Sequence, residues 1–241
     1  MQLDSDAVPY DVNFCFPVHD LENDRVRLTP FVPSLYAESF VAASLPYPEL
    51  FKYVPFGPFA SAKELVNDFI EPRIHHNPTF ILFAVISKAS SPGDNDGKDE
   101  LAGIIGLLNT STKYLSTEIG FVVTLPQFQR THVTSNAVGL LMFYALDLPS
   151  ESGLGLRRLQ WQANELNAAS IRVAEKMGFK KEAVIRWDRA VPRGRGKVSN
   201  GQEIREGDPL TGMLGRNTVV LAICWDDWLT EREKVNDRVQ R

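Results

Sequence analysis

Three apolar runs follow one another between Thr79 and Leu125, and this crowding constrains the fold more than any other feature of the chain. Thr79–Lys88 (TFILFAVISK) is rich in β-branched and aromatic residues and reads as a buried strand. Leu101–Thr110 (LAGIIGLLNT) and Thr117–Leu125 (TEIGFVVTL) read the same way. The Gly/Asp/Ser-rich stretch SSPGDNDGKDE between the first two is a loop joining neighbouring strands, not a linker between domains. The chain therefore starts a mostly antiparallel sheet.

Helical signals surround these runs. Val26–Phe31 alternates as a first strand, and Pro33–Leu45 has helical spacing behind an N-terminal proline. Ser61 followed by Glu64 is a capping-box pattern at the start of a second helix. Arg158–Ala163 is a short strand, Asn167–Met177 a helix stopped by Gly178, and Phe179–Val191 a strand. Thr218–Trp225 is the last strand, and Asp226–Val239 a short polar helix started by the aspartates of WDDW. The order β-α-α-β-β-β-α-β-α-β-β is a mixed α/β (α+β) pattern. The 241 residues suffice for one well-cored domain, expected over 25–241, with loops 89–100 and 192–217 as insertions and residues 1–24 as an irregular arm.

A net charge of −4 does not build a general surface for nucleic acid or anionic lipid. Cys15 and Cys224 form no disulfide framework or zinc spacing, and Cys224 reads as a core residue in VVLAICW. No secretory signal or membrane-length apolar run is evident, so a soluble, cytoplasmic protein without membrane partners is expected. His75 and His76, adjacent on a helix, are expected to point in different directions, and no metal is expected. The basic run PRGRGK (Pro192–Lys197) reads as a solvated loop, or else as a clamp for an acidic acceptor or for RNA.

The stretch LPQFQRTHVTSN leads from the third apolar run into an amphipathic helix. Such a helix N-terminus offers free N–H groups to an anion, yet lacks the glycines that usually let backbone wrap a phosphate. Together with NELNAASIRVAEKMGFKKEAVIR, the segment TEIGFVVTLPQFQR resembles the GNAT (Gcn5-related) N-acetyltransferases, in their RimJ/RimL-like branch. The resemblance runs from about Val26 to Arg186, and the last strand fits it.

That resemblance implies a twisted, mostly antiparallel sheet flanked by helices and splayed between the fourth and fifth predicted strands. It implies acetyl-CoA as cosubstrate, its pantetheine on the strand edge at Phe121, Val122, Val123 and Thr124. The pyrophosphate would lie on Gln129, Arg130, Thr131, His132, Val133, Thr134 and Ser135, with His132 where the family has its first glycine. Asn167 and Ser170 would face the pantetheine and the sulfur. Ser170, or water, is the candidate general acid, because Ala174 stands where many relatives have a tyrosine. Glu118 is the first candidate base and Asp188 the second. Tyr53, Phe56 and Trp187 are candidates for the acceptor pocket.

The expected reaction is direct attack of a primary amine on the acetyl thioester in a ternary complex, polarised by a backbone N–H near Val122. A small amine or amino acid, a polyamine and a protein N-terminus stay open as acceptor, as do monomer and homodimer. The alternative is a non-catalytic CoA-binding or protein-interaction module of the same fold, suggested by His132 and Ala174.

Overall fold

A computed structural model describes residues 10–89, 98–194 and 196–240. The tip of the loop after Lys88, the first nine residues of the arm and Arg195 of the basic run lie outside the described residues. Eight strands form one sheet in the order β1-β2-β3-β4-β5-β6-β8-β7. They are β1 (Leu21–Glu22), β2 (Val26–Pro30), β3 (Ile81–Ser87), β4 (Glu100–Ser111), β5 (Ser116–Thr124), β6 (Arg158–Asn164), β7 (Lys180–Pro192) and β8 (Met213–Cys224). Every neighbouring pair is antiparallel except β5 and β6, which run parallel. The meander expected from the three apolar runs is therefore β3-β4-β5.

Helices cover both faces. Helix α3 (Val133–Leu146) and the C-terminal α5 (Trp225–Gln240) pack on one face, over Leu107, Ile119, Leu159 and Leu221. Gly139 makes their close approach possible, since a Cβ there would stand 2.3 Å from Val239 Cγ2. The buried Asp147 carboxylate, just past α3, accepts from Trp228 Nε1 at 2.7 Å and from Arg232 Nε and Nη2 at 2.8 Å. On the other face, α1 (Pro33–Ser44) and α2 (Ala62–Leu65) sit over a phenylalanine-rich core.

The Ser61 cap forms as the sequence implies, with Ser61 Oγ accepting from Glu64 N at 3.1 Å, while the Glu64 carboxylate turns back to Ala60 N at 2.6 Å. The helix then widens into a π-helical segment, Val66–His75, which contains Pro72. This widening corrects the expectation for the two histidines. In a π-helix residues five apart share a face, so His75 and His76 both approach the Glu71 carboxylate, at 2.7 and 4.0 Å.

The arm is docked. Leu21–Glu22 adds β1 to the sheet edge, Cys15 N donates to Pro78 O at 2.8 Å, and Tyr144 Oη donates to Pro17 O at 2.6 Å. Cys224 is half-buried rather than a core residue, because it closes β8 at the turn into α5. Strand β8 starts at Met213, five residues before the sequence pattern becomes apolar.

Asp147→Ala would leave the Trp228 N–H and the Arg232 guanidinium without their shared acceptor, and urea unfolding should show a loss of about 2–3 kcal/mol. An unchanged midpoint would mean that α5 is held by apolar packing alone.

Candidate active site

Strands β5 and β6 pair over four positions only, from Ser116↔Arg158 to Ile119↔Trp161. Beyond that point both strands continue, and they part. The cause lies on β5. Between Gly106↔Gly120 and Ile104↔Val123, β5 advances three residues against two of β4. The extra residue is a β-bulge, and Phe121 within it has a left-handed φ of 55°. That conformation costs an L-residue about 1–2 kcal/mol. The ring compensates by packing edge-on to Phe69 and Phe56, with centroids 5.1 and 5.5 Å away, under the Arg73 guanidinium at 5.5 Å. Past the bulge, the β5 edge toward β6 has no ladder partner among the described residues. Unpaired backbone groups of this kind can bind an extended chain that carries amides.

The free edge leads to the start of α3. Here the structure answers the question posed by the missing glycines. His132 has φ −67° and ψ −20°, helical values open to any residue, and the left-handed residue of the turn is Arg130 at φ 63°. Gln129 Nε2 donates to Thr124 O at 3.0 Å, Thr131 Oγ1 donates to Phe128 O at 2.6 Å, and Thr124 and Thr134 share a hydroxyl hydrogen bond at 2.9 Å. The backbone N–H groups of Thr131, His132, Thr134 and Ser135 have no partner among the described residues. Arg130, Arg172, Lys176 and Arg238 line the same cleft, of about 1420 Å³. Free N–H donors at a helix start, in a cleft that also carries these cations, suit a polyanion.

The other end of the cleft is built around Glu118, which is 5% exposed. Burial raises its pKa, against the lowering effects of the Arg189 charge, a hydrogen bond from Asn109 Nδ2 at 3.1 Å and the Arg216 charge. Arg73, Arg189 and Arg216 line this end with it, as do Tyr47, Tyr53 and Phe56. Lys197 and Val198, in the loop after β7, tie onto the segment that carries Tyr53 and Phe56. Lys197 Nζ donates to the carbonyls of Phe51, Phe56 and Gly57 at 2.8, 2.7 and 2.6 Å, and burial pushes its pKa down to about 8. Val198 N donates to Lys52 O at 2.9 Å. The basic run is thus no freely solvated loop at Lys197, which is an anchor for the aromatic segment.

Between the two ends stands α4 (Ala168–Lys176), capped by Asn167 Oδ1, which accepts from Ser170 N at 3.2 Å. Ser170 Oγ accepts from Trp161 Nε1 at 2.9 Å, which leaves its own proton free to donate. Ala174 is fully buried.

Most residues singled out from the sequence line this one cleft: Glu118, Phe121 to Thr124, Gln129, Arg130, Thr131, Thr134, Ser135, Asn167, Ser170, Tyr53 and Phe56. Four do not. Val133 is in the core, and the His132 ring turns toward Arg25, where burial and that charge lower its pKa. Trp187 sits in a second bulge at φ 55°, its ring packed against Gly215 and its backbone N–H donating to Asn217 Oδ1 at 2.9 Å. The neighbouring Asp188 carboxylate is taken up by Arg189 Nε at 3.2 Å. The arginines were missed because Arg73 follows a helix-breaking proline and Arg216 lies before the apolar part of β8. One signal was present: Arg216 shares strand parity with Thr218 and Val220.

The sequence profile of the acetyltransferase (GNAT) domain matches residues 25–180. The chain belongs to the GNAT acetyltransferase family. It is 34% identical over 87 residues to the uncharacterized N-acetyltransferase YoaA of Bacillus subtilis (strain 168), a match spanning 36% of this chain and 46% of that relative. A GCN5-related N-acetyltransferase from Brucella melitensis shares the fold at a TM-score of 0.71 and 24% identity, covering 92% of this chain and 85% of that one. The acetyltransferase (GNAT family) from Bacillus anthracis does so at 0.58 and 18%, covering 86% and 98%. No helix among the described residues of this GNAT protein is long and apolar enough to cross a membrane.

The bulge makes a prediction of its own. In an ordinary strand glycine is less stable than alanine, by about 0.5–1 kcal/mol. At position 121 the order should reverse: Phe121→Ala and Phe121→Gly both lose the aromatic packing, but the glycine variant should be more stable, by about 1 kcal/mol in urea unfolding. The usual order would show that the left-handed backbone is not held in solution.

Proposed function

We propose that this GNAT protein transfers the acetyl group of acetyl-CoA to a primary amine, and that the cleft along β5 is where both substrates meet. The observation that carries the reading is the continuity of the free β5 edge at Val122–Thr124 with the free N–H groups at the start of α3. An edge and a polyanion site in series fit a pantetheine arm followed by a pyrophosphate. Acetyl-CoA supplies the activated acyl carbon: the amine nitrogen bonds to it, the carbon–sulfur bond breaks, and the thiolate leaves.

The chain's residues serve that reaction as follows. Val122–Thr124 hold the arm, a backbone N–H near Val122 polarises the thioester carbonyl, and Thr131, His132, Thr134 and Ser135 hold the pyrophosphate. His132 takes part through its N–H and not its ring. Arg130, Arg172, Lys176 and Arg238 supply the surrounding charge. Glu118 accepts the proton that the ammonium must lose, directly or through water, and its raised pKa suits the role. Ser170, whose oxygen accepts from Trp161 and whose proton is free, returns a proton to the leaving sulfur. Tyr53 and Phe56 border the acceptor. Asp188, paired with Arg189, is not assigned as a base. The Asn167–Gly178 motif supports the RimJ/RimL-like branch, and residues 25–241 are read as one domain.

Millimolar acetyl-CoA should raise the melting temperature, and Glu118→Gln should keep that rise while lowering kcat by about 10²–10⁴. Activity should fall as pH drops through the raised pKa of Glu118, so the acid limb of kcat/KM should lie above the ordinary 4.5 and vanish in Glu118→Gln. No thermal shift would contradict acetyl-CoA binding. A stabilised protein that releases no thiol with any amine would favour the non-catalytic module.

A further inference from the structure

Arg216 is 3% exposed, lines the cleft beside Glu118, and its buried Nε has no hydrogen-bond partner. Among the described residues it makes no salt bridge, and neither does Arg73, which reaches into the same end of the cleft above Phe121. The third guanidinium, Arg189, is engaged from behind by Asp188 and donates to Gln162 Oε1 at 2.9 Å. Glu118 is the one buried carboxylate among the described residues that line the cleft, and the other acidic lining residue, Glu49, is exposed. Three guanidinium groups thus gather around two carboxylates, Glu118 and Asp188; Arg189 takes up Asp188, and Arg216 and Arg73 are left without an ion pair among the described residues.

A guanidinium buried without a partner is costly, and it is retained where an incoming anion completes it. This anion is not part of the pyrophosphate. Glu118 and Thr124 are six residues apart on β5, about 15–20 Å at the rise of a strand. The arginine cluster lies at the Glu118 end, where its charges act directly on that carboxylate.

We propose that the acceptor is a small amine carrying a carboxylate beside its amino group, an α-amino acid or close analogue, with the carboxylate on Arg216 and Arg73 and the amine at Glu118. The assignment rests on the acetyltransferase reading above and chooses among the acceptors left open by the sequence. A polyamine would bring only positive charge to three guanidinium groups. A protein N-terminus has an amide where the cluster calls for an anion. The paired sites, one acidic and one basic, match the two charges of an amino acid.

The test is thiol release from acetyl-CoA with matched acceptors: phenylalanine against phenethylamine, phosphoethanolamine against ethanolamine, and spermidine. Phenylalanine should exceed phenethylamine in kcat/KM by about tenfold or more. Arg216→Met and Arg73→Gln should each shrink that ratio while leaving the acetyl-CoA thermal shift in place, and Arg73→Lys should restore part of it. Should Arg216→Met fail to fold, the Arg73 variants and the native ratios decide. Where turnover is too slow to measure, calorimetric titration of the same pairs into the CoA-saturated protein reads the same preference. Equal values within the pair, preference for spermidine, preference for phosphoethanolamine over the amino acid, or no carboxylate-dependent binding would each overturn the proposal. If the thermal shift with acetyl-CoA persists, those outcomes strike the acceptor assignment alone; its absence strikes the acetyltransferase reading.

Discussion

The left-handed backbone at Phe121 is the constraint on which the rest of the cleft depends. One extra residue in β5 ends its pairing with β6 and frees an edge. The strain is held by the ring, which is locked among Phe56, Phe69 and Phe80. The aromatic segment that supplies Phe56 is held in turn by Lys197, whose ammonium satisfies three of its carbonyls. A loop far along the chain thus supports the geometry of the strand. Strain concentrated where backbone must bind something is a common arrangement in functional sites.

Charge divides the cleft. At the start of α3 the donors are backbone groups, which suits a ligand that reaches in from solvent. Around Glu118 the charges are buried, as Glu118 and Arg216 are, or half-buried, as Arg73 and Arg189 are, and they act on one another. Burial drives the Glu118 pKa up, against the charges of Arg189 and Arg216, and burial with the Arg189 charge drives the Arg216 pKa down to about 10, against Asp188 and Glu118. Such groups gain most from a ligand that brings the opposite charges and excludes the remaining water.

Much of the fold was legible because its elements are locally encoded. The apolar runs of β3, β4 and β5 alternate with turn residues, and the Ser61 and Asn167 caps are set by short-range chemistry. The turn before α3 was legible in position but not in conformation. The sequence shows a histidine replacing a glycine, whereas the left-handed dihedral has moved to Arg130. The arginine cluster was hidden because its members come from a π-helical segment and from two strands joined by a long loop, brought together only by tertiary packing. Trp187 was misplaced for a related reason: it lies in a bulge, where β7 advances four residues against two of β8, and its ring packs on Gly215.

On the proposed function, the β5 edge and the start of α3 form one continuous track for the cosubstrate. Backbone amide shifts recorded while CoA is titrated into the protein test it most directly. The largest changes are expected at Val122–Thr124 and Thr131–Ser135, saturating together with one affinity. Saturable binding that leaves both segments unmoved, or moves them with different affinities, would contradict it.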